Sequence, residues 1–320
     1  MAQFTVMSYN IENMRKMFHD GRIDPDHLDR IERVAAVIAQ IRPDILGIIE
    51  ASDRLEDHRE FLGHPKLKKL CYHVACSEFK RGKQDLVIYY RDPFEVVSID
   101  EKIDFYQPWL IDIDDDGIEE QFSFKRPPLE ILFRVKGKGS HFRVILVSTK
   151  SKGVFSVNDV LTYQKLALAN RKKLLAQSLK IRERVDSMMT NDESTPFILM
   201  GDFNDDPGLD SYERFLGASA LEKIMGSVFE PDRILHHALW HLTDKTKESD
   251  LWTVRYPDPI VENSRNHKAW LDHIFLSPRC LQPDSSLRIV PRSGRIFRHS
   301  EQTSQASDHL PVYCKVEIGD

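Results

Sequence analysis

Short apolar runs separated by polar turns dominate the chain. Thr5 to Tyr9, Ile45 to Glu50, Leu86 to Tyr90, Ile131 to Val135, Phe142 to Ser148, Phe197 to Gly201, His273 to Leu276 and Val312 to Val316 all read as strands. Between them lie two segments of helical spacing. Leu28, Ile31, Val34, Ala35, Ile38 and Ile41 recur three and four apart, which predicts a helix from Asp26 to Ile41, opened after Pro25 and stopped by Pro43. A second helix is expected from about Asn158 to Val185, with Leu161, Leu168, Leu175 and Leu179 marking its buried stripe. Helices interleaved with sheet strands fit an α/β sandwich, in which two sheets pack face to face and helices lie outside.

Two segments read as loops. Asp112-Ile113-Asp114-Asp115-Asp116-Gly117 opens like a calcium loop, but its twelfth position is Ser123 rather than glutamate and no helices flank it. A solvated hairpin turn is the expectation. Ser227 to Asn266 is rich in histidine, tryptophan and proline, including His236, His237, Trp240, His241, Trp252 and Tyr256. Aromatic packing under a long loop is the first reading, and a wall facing the substrate is the second.

Composition narrows the class. A chain of 320 residues with 41% hydrophobic content can bury a large core, and residues 1–320 are expected to form one domain. No run approaches the roughly 18 apolar residues of a membrane span, and the N-terminus lacks the pattern of a signal peptide, so a cytoplasmic location is expected. Cys71, Cys76, Cys280 and Cys314 lack metal-ligand spacing and read as reduced, buried thiols. A net charge of -5 gives no general attraction toward nucleic acid. Local basic clusters remain, at Lys66 to Lys69, Lys80 to Lys83 and Arg288 to Arg298, although charge runs are usually solvated surface.

The chemistry concentrates in two stretches. Ile198-Leu199-Met200-Gly201-Asp202-Phe203-Asn204-Asp205-Asp206-Pro207 is an apolar strand running into a carboxylate and a carboxamide, an oxygen base and an amide at one sheet edge. Ser307-Asp308-His309-Leu310-Pro311-Val312 supplies a further carboxylate and a proton-carrying ring. Together they point to phosphate chemistry on a metal. Read without further context, Asp202 and Asn204 could equally shape a turn before Pro207, and His309 could be a satisfied core histidine.

With three further segments in order, the chain resembles the endonuclease/exonuclease/phosphatase family. These are Met7-Ser8-Tyr9-Asn10-Ile11-Glu12-Asn13, Arg42-Pro43-Asp44-Ile45-Leu46-Gly47-Ile48-Ile49-Glu50, and Trp270-Leu271-Asp272-His273-Ile274-Phe275-Leu276-Ser277. Arg126-Pro127-Pro128-Leu129 and Lys150-Ser151-Lys152-Gly153 support the match. The resemblance implies a four-layer sandwich of two packed β-sheets with helices outside, and an Mg2+-dependent phosphoesterase, with Mn2+ as the substitute ion. It implies Glu50 as principal metal ligand, with Asp308 and Glu12 beside it. Asp202 would orient or deprotonate the attacking water, Asn204 would fix that water or a phosphate oxygen, and Asn10 would orient phosphate or hold water on the metal. His309, held by Asp272, would donate to the phosphate.

One position departs from the family. Val147-Ser148-Thr149-Lys150-Ser151-Lys152 places Ser148 where a second histidine is usual, and a serine hydroxyl neither carries charge nor donates a proton near neutral pH as imidazole does. Lys150 or Lys152, both expected to bind substrate along with Ser148, could replace the lost donor; so could His73 or His141. The same substitution is also compatible with slowed turnover or with binding alone. A nuclease acting on DNA or RNA is the leading expectation; a phosphatase or phosphodiesterase for a small or lipid-linked molecule is the alternative.

Overall fold

The computed structural model describes residues 2–77, 85–100, 104–154, 157, 159–244, 247, 250–256, 267–301 and 303–319. Its centre is a pair of sheets. The first is built from β1 (Ala2–Asn10), β2 (Ile45–Ala51), β3 (His73–Ala75) and β4 (Asp85–Tyr90). The second begins with β5 (Phe94–Asp100), β6 (Leu129–Val135), β7 (His141–Ser148), β8 (Phe197–Asp202), β9 (His236–His237) and β10 (Asp272–Leu276). The chain then returns to the first sheet with β11 (Leu287–Ile289), β12 (Arg295–Ile296) and β13 (Val312–Ile318). Strand order is β11-β13-β1-β2-β4-β3 in the first sheet, with β12 also on β13, and β9-β10-β8-β7-β6-β5 in the second. Each sheet is antiparallel except for one central parallel pair, β1 with β2 and β7 with β8.

These strands are apolar at successive positions because both faces of each sheet are covered. Val6, Ile45 and Ile49 point between the sheets, where they meet Val144, Leu146, Ile198 and Met200. On the opposite face of the first sheet, Met7, Tyr9, Leu46 and Ile48 pack on Ile31, Val34 and Ile38 of α1 (Leu28–Ile41). In the second sheet Ile145, Val147, Leu199 and Phe275 pack on Ile181, Val185 and Met188 of α2 (Val160–Asn191). Helix, sheet, sheet, helix is the four-layer sandwich the resemblance implies. The sheets touch closely at Gly47, where a Cβ would lie 2.5 Å from the Leu146 side chain.

All eight anticipated strands are present. The first helix begins at Leu28, after a 3-10 turn at Pro25–His27. The second is longer than its apolar stripe suggests, capped by the Asp159 side chain and continuing to Asn191. Leu161 does not belong to the buried stripe: it is 71% exposed, because the first turns of this helix stand past its contacts with the sheet. Its anticipated first residue, 158, lies outside the described residues, as do 80–83 and 257–266. The aspartate-rich segment is a hairpin turn between the paired strands Trp109–Ile111 and Glu120–Phe122. There Asp112 accepts from the Asp116 and Gly117 amides, and Asp114 pairs with Lys172. Cys280 and Cys314 are buried free thiols, but Cys71 is exposed and Cys76 only partly covered, contrary to the expectation for all four. No described helix is long and apolar enough to cross a membrane.

Candidate active site

Strand register brings the distant motifs to one edge. The β7–β8 and β8–β10 ladders end on the same rung, with Ser148 opposite Asp202 and Asp202 opposite Asp272. In the first sheet Asn10 is the last residue of β1, paired with Ile49, and β13 starts beside Ser8. The turn that carries Asp308 and His309 therefore arrives next to Asn10, tied there by the Ser307 hydroxyl donating to the Asn10 carbonyl at 2.7 Å. Gly201 has a required role: at φ 152° its missing Cβ would fall 2.0 Å from the Val147 carbonyl, so only glycine lets β8 approach β7 just before Asp202.

Asp202 is the centre of the arrangement and is almost fully buried. Asn10 Nδ2 donates to its Oδ2 at 3.1 Å, and the Asn204 amide donates to its Oδ1 at 2.9 Å. Burial disfavours the carboxylate and Asp272 adds repulsion; together they outweigh His309, so the Asp202 pKa is pushed up to about 6. A buried carboxyl poised near neutrality suits a general base. His309 Nδ1 lies 2.7 Å from Asp272 Oδ2. Burial works against the imidazolium, but the Asp272 carboxylate and then Asp202 overcome it and raise the ring to about 10. Asp272 is held by Thr253, whose hydroxyl accepts from the Leu271 and Asp272 amides while its carbonyl accepts from the Leu310 amide. One buried threonine thus fixes both members of the pair, a role no sequence motif signals.

On the first-sheet side the backbone is unusual. Glu12, Asn13 and Glu50 all have positive φ, at 51°, 56° and 58°, and the β2–β4 register shifts at Glu50. Non-glycine residues adopt this conformation rarely and often at functional sites. The result turns Glu50 toward the site edge, where its Oε2 accepts from the Asn13 amide at 2.9 Å and its Oε1 lies 3.5 Å from Arg126 Nη1. Glu12 is raised by burial first and by the neighbouring Asp308 next, although Arg30 Nη2 at 3.3 Å opposes the shift. Asp308 and Glu50 both act electrostatically on Glu12, so three carboxylates stand near one another on this side, and their oxygens are of the kind a hard divalent cation takes. Asp202, Asp272 and His309 also offer one ligand atom each within 4.8 Å, but the hydrogen bond between His309 and Asp272 engages that set internally.

The other anticipated residues fall into place unevenly. Asn10 uses both ends of its amide within the protein, donating to Asp202 and accepting from the Glu12 amide at 3.0 Å, so it orients the base directly. Asn204, at φ 50°, donates its side-chain amide to the Thr149 carbonyl at 3.1 Å. Lys152 is a correction. Its ammonium pairs with Asp205, with Glu213 at 2.7 Å and with Asp206 at 3.5 Å, which leaves no free donor for a substrate. His73 and His141 also fail as replacements for the missing ring. They pair with Tyr90 and Arg134 at the opposite ends of their ladders, His141 seven residues before Ser148, roughly 23 Å of strand. Arg126 is the cation that sequence reasoning passed over as a site residue. It is mostly buried, acts electrostatically on Asp202, and its Nη1, 3.5 Å from Glu50 Oε1, makes no hydrogen bond among the described residues.

Comparison with known proteins agrees with this fold. The truncated Caenorhabditis elegans TDP2 structure superposes at a TM-score of 0.54 with 16% identity, covering 99% of this chain and 98% of that one. The human Nocturnin catalytic domain with bound sulfate gives 0.54 and 17%, covering 99% and 95%. A Bacteroides thetaiotaomicron endonuclease/exonuclease/phosphatase family protein gives 0.55 and 16%, covering 100% and 99%. None of the curated proteins searched matches the sequence. The profile of the Endonuclease/Exonuclease/phosphatase family matches residues 7–309, and the chain belongs to that family of metal-dependent hydrolases acting on phosphate esters.

Proposed function

We propose that this protein hydrolyses a phosphodiester in an Mg2+-dependent reaction, with Mn2+ able to substitute, and that residues 1–320 act as one catalytic domain in the cytoplasm. The observation that carries the reading is a buried base with polar groups beside it: Ser148 Oγ, opposite Asp202, has no hydrogen-bond partner among the described residues, and Arg126 Nη1, 3.5 Å from Glu50 Oε1, makes an ion pair there without a hydrogen bond. Buried donors of this kind call for an acceptor from outside, and a phosphate oxygen supplies it.

Each residue then has a role at a stated atom. Asp202, oriented by Asn10 and the Asn204 amide, takes a proton from the attacking water. His309 presents Nε2 to a non-bridging phosphate oxygen while Asp272 holds its Nδ1. Arg126 and Ser148 hold further phosphate oxygens, the guanidinium supplying the positive charge that Ser148 lacks. Glu50 and Asp308, with Glu12 beside them, would hold the cation, which supplies charge neutralisation at the phosphate. A nucleic acid strand is the substrate class we favour, since the edge sets a buried base beside several donors for the oxygens of a phosphodiester. A phosphatase acting on a small phosphorylated molecule is the second reading, favoured by the net charge of -5.

Hydrolysis with Mg2+ across plasmid DNA, single-stranded DNA, RNA, an aryl phosphodiester and an aryl phosphomonoester tests the reading, with Asp202→Asn as control. Cleavage of a diester, reduced about a thousandfold or more in the variant, is expected from loss of a general base together with its charge. A folded wild-type protein that binds Mg2+ and cleaves none of the five would overturn it.

A further inference from the structure

In the two basic stretches that lie among the described residues, several of the cations are already engaged. Lys66 pairs with Glu32, Arg288 with Glu317 and Arg292 with Asp244, while Arg298 lies over the Trp252 ring. The stretch around Lys80 lies outside the described residues. A different group of cations stands beside the catalytic edge. Thr149 donates its amide to the Asp202 carbonyl and accepts from Asn204, and the next residue is Lys150. Lys125 immediately precedes Arg126, whose guanidinium faces Glu50. Lys173 sits on α2 one turn before Gln177, on the same face.

Gln177 fixes these segments together. This buried side chain accepts from the Lys150 amide at 2.7 Å and donates to the Ser123 carbonyl at 3.0 Å, joining the exit of β7 to the strand-entry segment that carries Lys125. These ties bring the segments of the three lysines together, and Lys150 is lowered by burial first and then by the charges of Lys173, Lys125 and Arg171. Arg171 is neutralised by Asp210 at 2.8 Å, whereas Lys125, Lys150 and Lys173 face no carboxylate among the described residues. Their sequence neighbours differ sharply. Lys152 is saturated by Asp205 and Glu213, and Lys172 by Asp114 and Glu120. A protein that supplies carboxylates for Lys152 and Lys172 but withholds them from Lys150 and Lys173 has left positive charge uncompensated at one place. Lys150 Nζ makes one bond, to the Ser151 carbonyl at 2.8 Å, and keeps two donors for a ligand.

We propose that Lys125, Lys150 and Lys173 form a second anion subsite, which takes a phosphate adjacent to the one being cleaved. The assignment rests on the phosphoesterase reading and narrows its substrate to molecules with at least two phosphates. Such a pair occurs in neighbouring nucleotides of a strand and in a compact polyphosphate, and both present the same chemistry to the lysines.

Binding measured by calorimetry with the 320-residue Asp202→Asn chain and Mg2+ separates the possibilities. The probes are a thymidine dinucleotide with its single internal phosphate, the same dinucleotide carrying a 5′-phosphate, and inorganic pyrophosphate. Lys125→Ala and Lys173→Ala are each expected to weaken a two-phosphate probe about threefold to tenfold and lower its salt dependence by about one ion, leaving the single-phosphate dinucleotide unchanged. Loss confined to the phosphorylated dinucleotide identifies a strand, and loss extending to pyrophosphate identifies a compact polyphosphate. Lys172→Ala, whose partners are carboxylates, is the control and should change neither affinity. Equal weakening of all probes, or none in either variant or in Lys125→Glu, overturns the subsite. Wild-type turnover with no discrimination among probes removes the subsite alone, whereas discrimination in a protein that cleaves nothing removes the phosphoesterase reading and leaves the anion site standing.

Discussion

At the catalytic edge the first sheet delivers Glu12, Glu50 and Asp308, while the second delivers Ser148, Asp202 and Asp272. The first group is strained and negative, with Glu12 and Glu50 in left-handed backbone. The second group sits on regular strand ends and manages protons: Asp202 is pushed up to about 6 and, through Asp272, His309 to about 10. Hydrogen bonds join the halves, Asn10 to Asp202 at 3.1 Å and His309 to Asp272 at 2.7 Å, and Arg126 lies 3.5 Å from Glu50. The difference teaches that the carboxylates proposed to hold the ion stand on the first sheet, whereas the base and the carboxylate that orients His309 stand on the second, so a substitution in one half should leave the other half's property measurable.

Asp272→Asn breaks this division most severely, because it removes the charge that holds His309 protonated and the acceptor that orients its ring. Turnover should fall about a thousandfold to ten-thousandfold, by analogy with other carboxylate-oriented histidines, while Mg2+ affinity stays within about twofold. Calorimetric titration of Mg2+ beside steady-state rates checks both; a large loss of metal affinity would show that the halves are not separable. Glu50→Gln is the reciprocal change. It should raise the Mg2+ concentration needed for half-maximal rate about tenfold to a hundredfold while leaving the rate at saturating metal much less affected.

The pH profile sharpens the second-sheet side. Asp202 must be charged to accept a proton, so the rate should rise about tenfold per pH unit up to about 6 and then level. His309 remains protonated until about 10, so the fall on the alkaline side should begin only there. In Asp272→Asn the alkaline limb should move to lower pH, since the first raising cause of the His309 shift has gone. A wild-type profile with no acid limb between pH 5 and 7 would remove Asp202 from the role of base.

Much of the fold is legible in the sequence, for identifiable reasons. Strand ends are legible because two covered faces demand continuous apolar runs, and Gly201-Asp202 stands out where such a run stops. Asn10, Glu50, Asp272 and His309 follow from ordered motifs. Arg126 was seen only as the start of a strand, because nothing in Arg-Pro-Pro reveals that the guanidinium folds back to Glu50. Lys150 and Lys152 looked equivalent in sequence; their difference depends on Asp205 and Glu213, more than fifty residues away. Thr253 was invisible for the same reason, as its contacts to residues 271, 272 and 310 are made through long-range backbone geometry.

The smallest expected effect bears on the residue that departs from the family. Ser148 is buried, opposite Asp202, with a hydroxyl that finds no hydrogen-bond partner among the described residues. If that hydroxyl existed only as an unpaired burden, removing it would be neutral or mildly stabilising and would leave catalysis alone. If it completes the phosphate site, Ser148→Ala should lower kcat/KM about twofold to tenfold, the worth of one neutral hydrogen bond, while Tm holds or rises slightly. The two readouts move in opposite directions, which a general loss of structure cannot imitate. An unchanged kcat/KM with a raised Tm would leave Arg126 as the sole protein donor replacing the missing histidine, and would place phosphate recognition on the cations rather than on the second sheet's edge.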